Sequence, residues 1–198
     1  YETSLGLVGS EMCIRDSRTA TSPDEIAQLC ATLLEKPRFC FDTETTGLDP
    51  RSAQLLGIAF SWQAHQGCYL PWPVDPSSRE LIKAVFAAHQ EKIAHNLKFD
   101  LAILNQNGIS VAGPYFDTML AHSLLHPDQR HGMDRLAEQL LRYRPIAFSD
   151  IAEASSDASA SEDLFAFASN QGTKKKDLSI ANIPPVSYTH LRAHETEA

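Results

Sequence analysis

The residues best suited to chemistry are acidic and come in short clusters. Asp42-Thr43-Glu44 closes the run RFCFDTET. If that run is a strand, residues i and i+2 share a face, so both carboxylates project together while Phe41 turns the other way. Two carboxylates that close repel unless a cation lies between them, and hard Mg²⁺ or Mn²⁺ takes oxygen ligands. Taken alone, the pair reads equally well as a solvated strand end leading into the Gly47 turn. A second cluster is His95-Asn96-Leu97-Lys98-Phe99-Asp100. Asp100 falls in the first turn of a helix, and Asn96 stands where an N-cap would. A carboxylate there is either stabilised by the helix dipole or brought beside the first strand as a third ligand. Asp117 lies at a strand-to-helix junction and reads first as a cap. His122, His126 and His131 suggest zinc, with the first two on one helical face. No cysteine lies near them and Pro127 breaks the helix after His126, which favours ordinary surface and core histidines.

Such groups need elements to hold them. SPDEIAQLCATLLEK predicts a capped helix, with Ser22 at the N-cap, Pro23 in the first turn and Glu25 completing a capping box. RFCFDTET predicts a strand that ends before Gly47, Asp49 and Pro50. AQLLGIAFSW and GCYLPW predict two more strands joined by a short polar turn around Gln63–Gln66. SSRELIKAVFAAH is helical, KIAHN a short strand, and LKFDLAILNQNG a helix stopped by Gly108. Two further helical runs lie in GPYFDTMLAHSLLHP and HGMDRLAEQLLRY. Strands first, then alternating helices and strands, indicate an α/β domain with a mixed sheet. Residues 152–176 are rich in Ala, Ser and Asp and end in Lys174–Lys176; they are expected to be a mobile surface loop or weak helix with a solvated charge run.

The net charge of −8 over 198 residues offers no general basic surface for nucleic acid. Acidity does not exclude nucleic acid, because bound cations offset a cluster of metal-binding carboxylates. Cys30, Cys40 and Cys68 show no CxxC spacing, which fits a reducing compartment and no disulfide framework. No apolar run reaches transmembrane length, so no membrane partner is expected and a cytoplasmic location is the default.

Together, FDTETTGLD, AHNLKFDLAIL and GPYFDTMLAHSLLHPDQRHGMDRLAEQLL closely resemble, in order and spacing, the 3′–5′ proofreading exonuclease domain of bacterial DNA polymerase I. The resemblance runs from about Arg38 to Phe148 and more weakly on to Pro185. The related RNase D-like exonucleases look less similar in RHGMDRLAE. It implies a ribonuclease H-like mixed sheet flanked by helices, and two-metal hydrolysis of the terminal phosphodiester of DNA with Mg²⁺ or Mn²⁺. Asp42 and Glu44 match the first pair of metal-binding carboxylates, and Asp100 matches the third. Leu48 matches an apolar residue that wedges against the terminal bases, while Asn96 and Phe99 lie near the 3′ nucleotide. Arg130 matches a basic residue near the DNA backbone, and Asp117 a position expected to be structural. His95 replaces the family's commoner Gln and Phe99 its Tyr. The implied partners are a single-stranded or frayed 3′ end and a polymerase domain in cis.

The family also has a later carboxylate preceded four residues earlier by a Tyr that orients the attacking water. No Tyr-x-x-x-Asp follows Asp100, since Tyr143 precedes Ala147 and Tyr188 precedes Arg192. The C-terminal part of the domain is therefore expected to be missing and the polypeptide itself impaired; the alternative is a non-catalytic DNA-binding or structural domain. The ends point the same way. Read as codons, residues 4–16 are the reverse complement of residues 186–198, pairing Asp16 with Val186 through to Ser4 with Ala198, and the match fails at Ser17 and Pro185. Residues 1–17 and 186–198 are accordingly expected to be adapter-like and not native, leaving 18–185 as an incomplete exonuclease domain.

Overall fold

The computed structural model describes residues 16–64 and 66–142. The remaining stretches, including the expected loop at 152–176, the segment after Phe148 and most of the two ends expected to be adapter-like, lie outside the described residues. The order of elements is β1 (Asp16–Thr19), α1 (Pro23–Glu35), β2 (Arg38–Thr45), β3 (Leu55–Gln63), β4 (Gln66–Pro71), α2 (Pro76–Ala87), β5 (Glu91–Ala94), α3 (Leu97–Gln106), β6 (Tyr115–Asp117), α4 (Thr118–Leu125) and α5 (Met133–Leu141).

The six strands form one mixed sheet in the order β1-β4-β3-β2-β5-β6. β2, β3 and β4 are an antiparallel meander, β5 and β6 add in parallel on one side, and β1 adds in parallel on the other. The sheet is thus the expected α/β arrangement, flanked by helices. No strand is expected over residues 16–19, where four residues carry no alternation. They are ordered by the edge of β4, against which Asp16 pairs with Gln66 and Thr19 with Tyr69. Asp16 and Ser17 fall within the stretch read as adapter-like, and their backbone simply continues the register of Arg18 and Thr19.

β2 lies inside the sheet, and seven of its eight residues are buried. Its odd-numbered residues Phe39 and Phe41 face a core shared with Ile58, Phe60, Leu70, Leu29, Leu33, Phe86, Ile103 and Leu104. Phe86 of α2 meets Phe41 edge-on with ring centroids 5.0 Å apart and also contacts Phe39 and Phe60. Edge-to-face aromatic pairs add roughly 0.5–1.5 kcal/mol each beyond area burial. This aromatic knot holds β2 in register while its even-numbered residues present another face. No described helix is long and apolar enough to cross a membrane.

The local signals of α1 are realised in full. Ser22 Oγ accepts from Glu25 N at 3.3 Å, and Glu25 Oε2 accepts from Ser22 N at 2.9 Å and from Thr21 N at 2.9 Å. These donors, the Ser22 N–H first, hold the Glu25 carboxyl down at about 2. At the other end of the domain, the three histidines do gather. His122 and His131 place their Nδ1 atoms 2.7 Å apart, and the His122 ring lies 5.0 Å from those of His126 and His131. A separation of 2.7 Å is a hydrogen bond between one protonated and one bare nitrogen, shorter than two ligands about 2.0–2.1 Å from a tetrahedral zinc would allow. The bond ties α4 to the entrance of α5. Burial, then the neighbouring His131 and His126, push the His122 pKa below its ordinary value.

Both groups make stability depend on pH, with signs that follow from their shifts. Glu25 is depressed, so its contribution is complete above the ordinary value of 4.5 and is lost as pH falls toward about 2. Acid titration of the unfolding temperature should therefore be flatter over this window in Glu25→Gln than in the parent; equal slopes would show that the box does not persist in solution. His122 is also depressed, so the unfolded chain takes up a proton first. Stability should decline as pH falls below 6.5, and His122→Gln should remove that part of the decline in the same measurement.

Candidate active site

β2 and β5 are parallel, with Phe39 opposite Lys92 and Cys40 opposite Ile93. Their C-terminal ends therefore lie at the same edge of the sheet, the usual place for a site in an α/β fold. β5 stops at Ala94, and the chain turns into α3, which packs beside β2 and β5. Thr43, three residues past the last residue of β2 paired with β5, finds its partner in the helix instead. Asp100 Oδ1 accepts from Thr43 N at 3.0 Å and from Thr43 Oγ1 at 2.6 Å. A contact between residues 57 apart thus sets the Asp100 carboxylate against the backbone unit between Asp42 and Glu44.

All three carboxylates are buried, with exposures of 6% for Asp42, 6% for Glu44 and 2% for Asp100. Alternation along β2 sends Asp42 and Glu44 to the face opposite Phe41 and Thr43. Asp42 sits across from Ala59 and Glu44 from Gly57. Tyr69 covers Gly57 so closely that a Cβ there would collide with its ring, and Tyr69 Oη donates to Leu56 O at 3.3 Å. The β2–β3 register shifts between Glu44 and Thr45. Irregularities of this kind often re-aim side chains at the rim of a site.

Oxygen donors from three buried acids are the set that a hard divalent cation prefers. Burying carboxylates costs several kcal/mol per ion, by order of magnitude, and a bound cation would offset that cost. The donor chemistry fits Mg²⁺ or Mn²⁺, although no three His, Cys, Asp or Glu among the described residues converge as a ready-made metal cage.

The other expected site residues are placed unevenly. Leu48 sits at the tip of the loop following β2 and is 93% exposed. That loop is closed behind it by Thr46 N to Gln54 O at 3.0 Å and by Gln54 N to Thr46 Oγ1 at 2.9 Å. Phe99 is half-buried on α3 against the core, and Asn96 is exposed. Asn96 does occupy the N-cap position of α3, but its side chain makes no capping bond. Its backbone is left-handed, and the donors at the head of α3 are taken by Asp117. Arg130 is exposed in the connection between α4 and α5.

Thr43, Thr118 and the reach of Asp117 escape a sequence reading because each acts across elements. His95 Nδ1 lies 2.8 Å from Thr118 Oγ1, which donates to Ala94 O at 3.3 Å. His95 therefore anchors the start of α4, a bond visible only once β5 and β6 are neighbours.

This arrangement has relatives. The model of a 3′-5′ exonuclease family matches residues 17–170. DNA polymerase I of Borreliella burgdorferi is 32% identical over 143 residues, covering 68% of this chain and 16% of that protein. Among solved structures, NrnC of Brucella melitensis with bound Mg²⁺ superimposes with a TM-score of 0.53 at 24% identity, over 68% of this chain and 65% of that one. Escherichia coli RNase D, described as an exoribonuclease involved in structured RNA processing, gives a TM-score of 0.55 at 18% identity, over 72% and 41%. These neighbours share the ribonuclease H-like fold. With its mixed sheet, its acids at the strand edge and a family match over most of its length, the chain belongs to the 3′–5′ exonuclease domain family of DNA polymerase I.

Proposed function

We propose that Asp42, Glu44 and Asp100 form a divalent-metal site that hydrolyses the 3′-terminal phosphodiester of DNA, as the proofreading site of a DNA polymerase I-type enzyme. The observation that carries this reading is the pair of hydrogen bonds that Thr43 N and Oγ1 donate to Asp100 Oδ1, which joins two acidic motifs far apart in sequence. The burial of all three acids supports it, as does the Mg²⁺ named in the Brucella melitensis NrnC structure. Because the chain spans about one sixth of the Borreliella burgdorferi relative (16%), a polymerase domain in cis is part of the proposal.

When bound, two such ions supply positive charge to the attacking and leaving oxygens of an in-line displacement. The chain's own residues do the rest. Asp42, Glu44 and Asp100 hold the charge in place at the strand edge. Leu48, exposed above the end of β2, wedges against the terminal base, and Phe99 and Asn96 line the path of the 3′ nucleotide. Apolar and aromatic contact with an unpaired base is tolerant of sequence, and a frayed end reaches it more readily than a paired one. Arg130 approaches the backbone phosphates. The family's water-orienting Tyr and its accompanying carboxylate have no counterpart here, because no Tyr-x-x-x-Asp follows Asp100. Hydrolysis by this polypeptide is therefore expected to be weak.

Calorimetric titration with Mn²⁺ tests the site. The chain should bind Mn²⁺, and Asp42→Ala and Asp100→Ala should each weaken binding by about tenfold or more. Binding indifferent to both substitutions, or none at all, would sink the metal assignment. On a 5′-labelled single strand with Mg²⁺, trimming should be far slower than by an intact homologous domain. A comparable rate, abolished by Asp42→Ala, would disprove the expected impairment. Leu48→Ala should weaken binding of single-stranded DNA, read by fluorescence anisotropy, by about 1 kcal/mol. Unchanged affinity would remove Leu48 from the DNA path.

A further inference from the structure

The turn from β5 into α3 contains a left-handed residue, Asn96, with φ 66° and ψ 45°. Asn is among the few L-residues that visit this region routinely. A left-handed residue followed by a helical one points successive N–H groups at a common point, forming a concavity that suits an anion. In this chain the anion is internal. Asp117 Oδ1 accepts from Asn96 N at 3.1 Å, and Asp117 Oδ2 accepts from Leu97 N at 3.0 Å.

The same carboxylate has a second task. Asp117 is the N-cap of α4, where Oδ1 also accepts from Met119 N at 2.9 Å and Leu120 N at 3.2 Å. One side chain thus closes the N-termini of two helices. It can do so because β6 pairs in parallel with β5, placing Asp117 beside Ala94 just where β5 gives way to the turn. The first turn of α3 is then gripped from two sides, by Asp117 on β6 at its head and by Thr43 on β2 through Asp100. An ordinary cap would act on its own helix; this one acts on the helix that carries an acid of the proposed site.

We infer that Asp117 is a positioning residue, which sets where Asp100 stands relative to Asp42 and Glu44 by filling the concavity at Asn96 and Leu97. The inference deepens the proposed metal site and rests on it, but its direct consequence is local geometry. Asp117→Asn keeps the size of the side chain and turns one acceptor into a donor facing an N–H. Asp117→Ser retains a hydroxyl able to cap α4 but is too short to reach Asn96 and Leu97. Ser22→Ala, which breaks the remote capping box of α1, controls for loss of stability alone.

Amide hydrogen exchange of the Thr43 N–H and Mn²⁺ affinity are measured on all four proteins. Both Asp117 variants should speed exchange at Thr43 by about tenfold and weaken Mn²⁺ binding by about tenfold, while Ser22→Ala changes neither. If Asp117→Ser restores parent values at Thr43 and for Mn²⁺, Asp117 is only the cap of α4 and the inference is overturned. Unchanged Thr43 exchange in Asp117→Asn, with Met119 and Leu120 exposed, overturns it as well. If no protein binds Mn²⁺, the metal assignment fails, and Thr43 exchange alone decides whether Asp117 positions Asp100. Should Asp117→Asn not fold, Asp117→Ser carries the comparison.

Discussion

The grip of Asp100 on Thr43 is the contact on which the geometry of the proposed site depends. It resolves two problems at once. Where β5 leaves the sheet, the backbone of β2 needs a new partner, because a buried N–H without one costs roughly 1–3 kcal/mol. Asp100 supplies that partner, and the same contact ties the helix carrying it to the strand of Asp42 and Glu44. The aromatic knot lies behind this contact on the same strand. Phe39, Phe41, Phe60 and Phe86 lock β2 against α2, so Thr43 presents its N–H and hydroxyl at a set depth.

Stability and the proposed function are in tension at this edge. A core built only to fold would place apolar side chains where three acids are buried. The surroundings absorb the conflict by division of labour. One face of β2 packs into the hydrophobic core while the next residues along it present acids toward Ala59 and Gly57. The polar burden is then carried by strand ends and helix heads, where donors are abundant and lack partners within their own element. Asp117 shows the same economy, satisfying four backbone donors with two oxygens.

Much of the scaffold is legible in sequence because its signals are local. Ser22 and Glu25 lie three residues apart, so the capping box can be read and is found. Alternation in RFCFDTET places Phe41 inward, and the Gly108 stop ends α3 near the expected point. Asn96 shows the opposite case. Its position at the head of α3 is legible, yet its role is not, because Asp117, twenty-one residues away, supplies the cap. β1 is invisible for a related reason: its four residues have no pattern of their own and are ordered by the edge of β4.

What the sequence by itself determined is local: which acids stand in which motifs, and on which kinds of element. Periodicity and capping act over a few residues, so they survive in a linear reading. What only the tertiary structure decided is proximity. In the proposed site, the strand of Asp42 and Glu44 meets the helix of Asp100 because parallel pairing of β2 with β5 brings a strand end and a helix head to the same edge. Asp117 reaches both helices because β6 pairs with β5. Hydrogen bonds form over about 3 Å, and no local rule sets which distant donors will come that close.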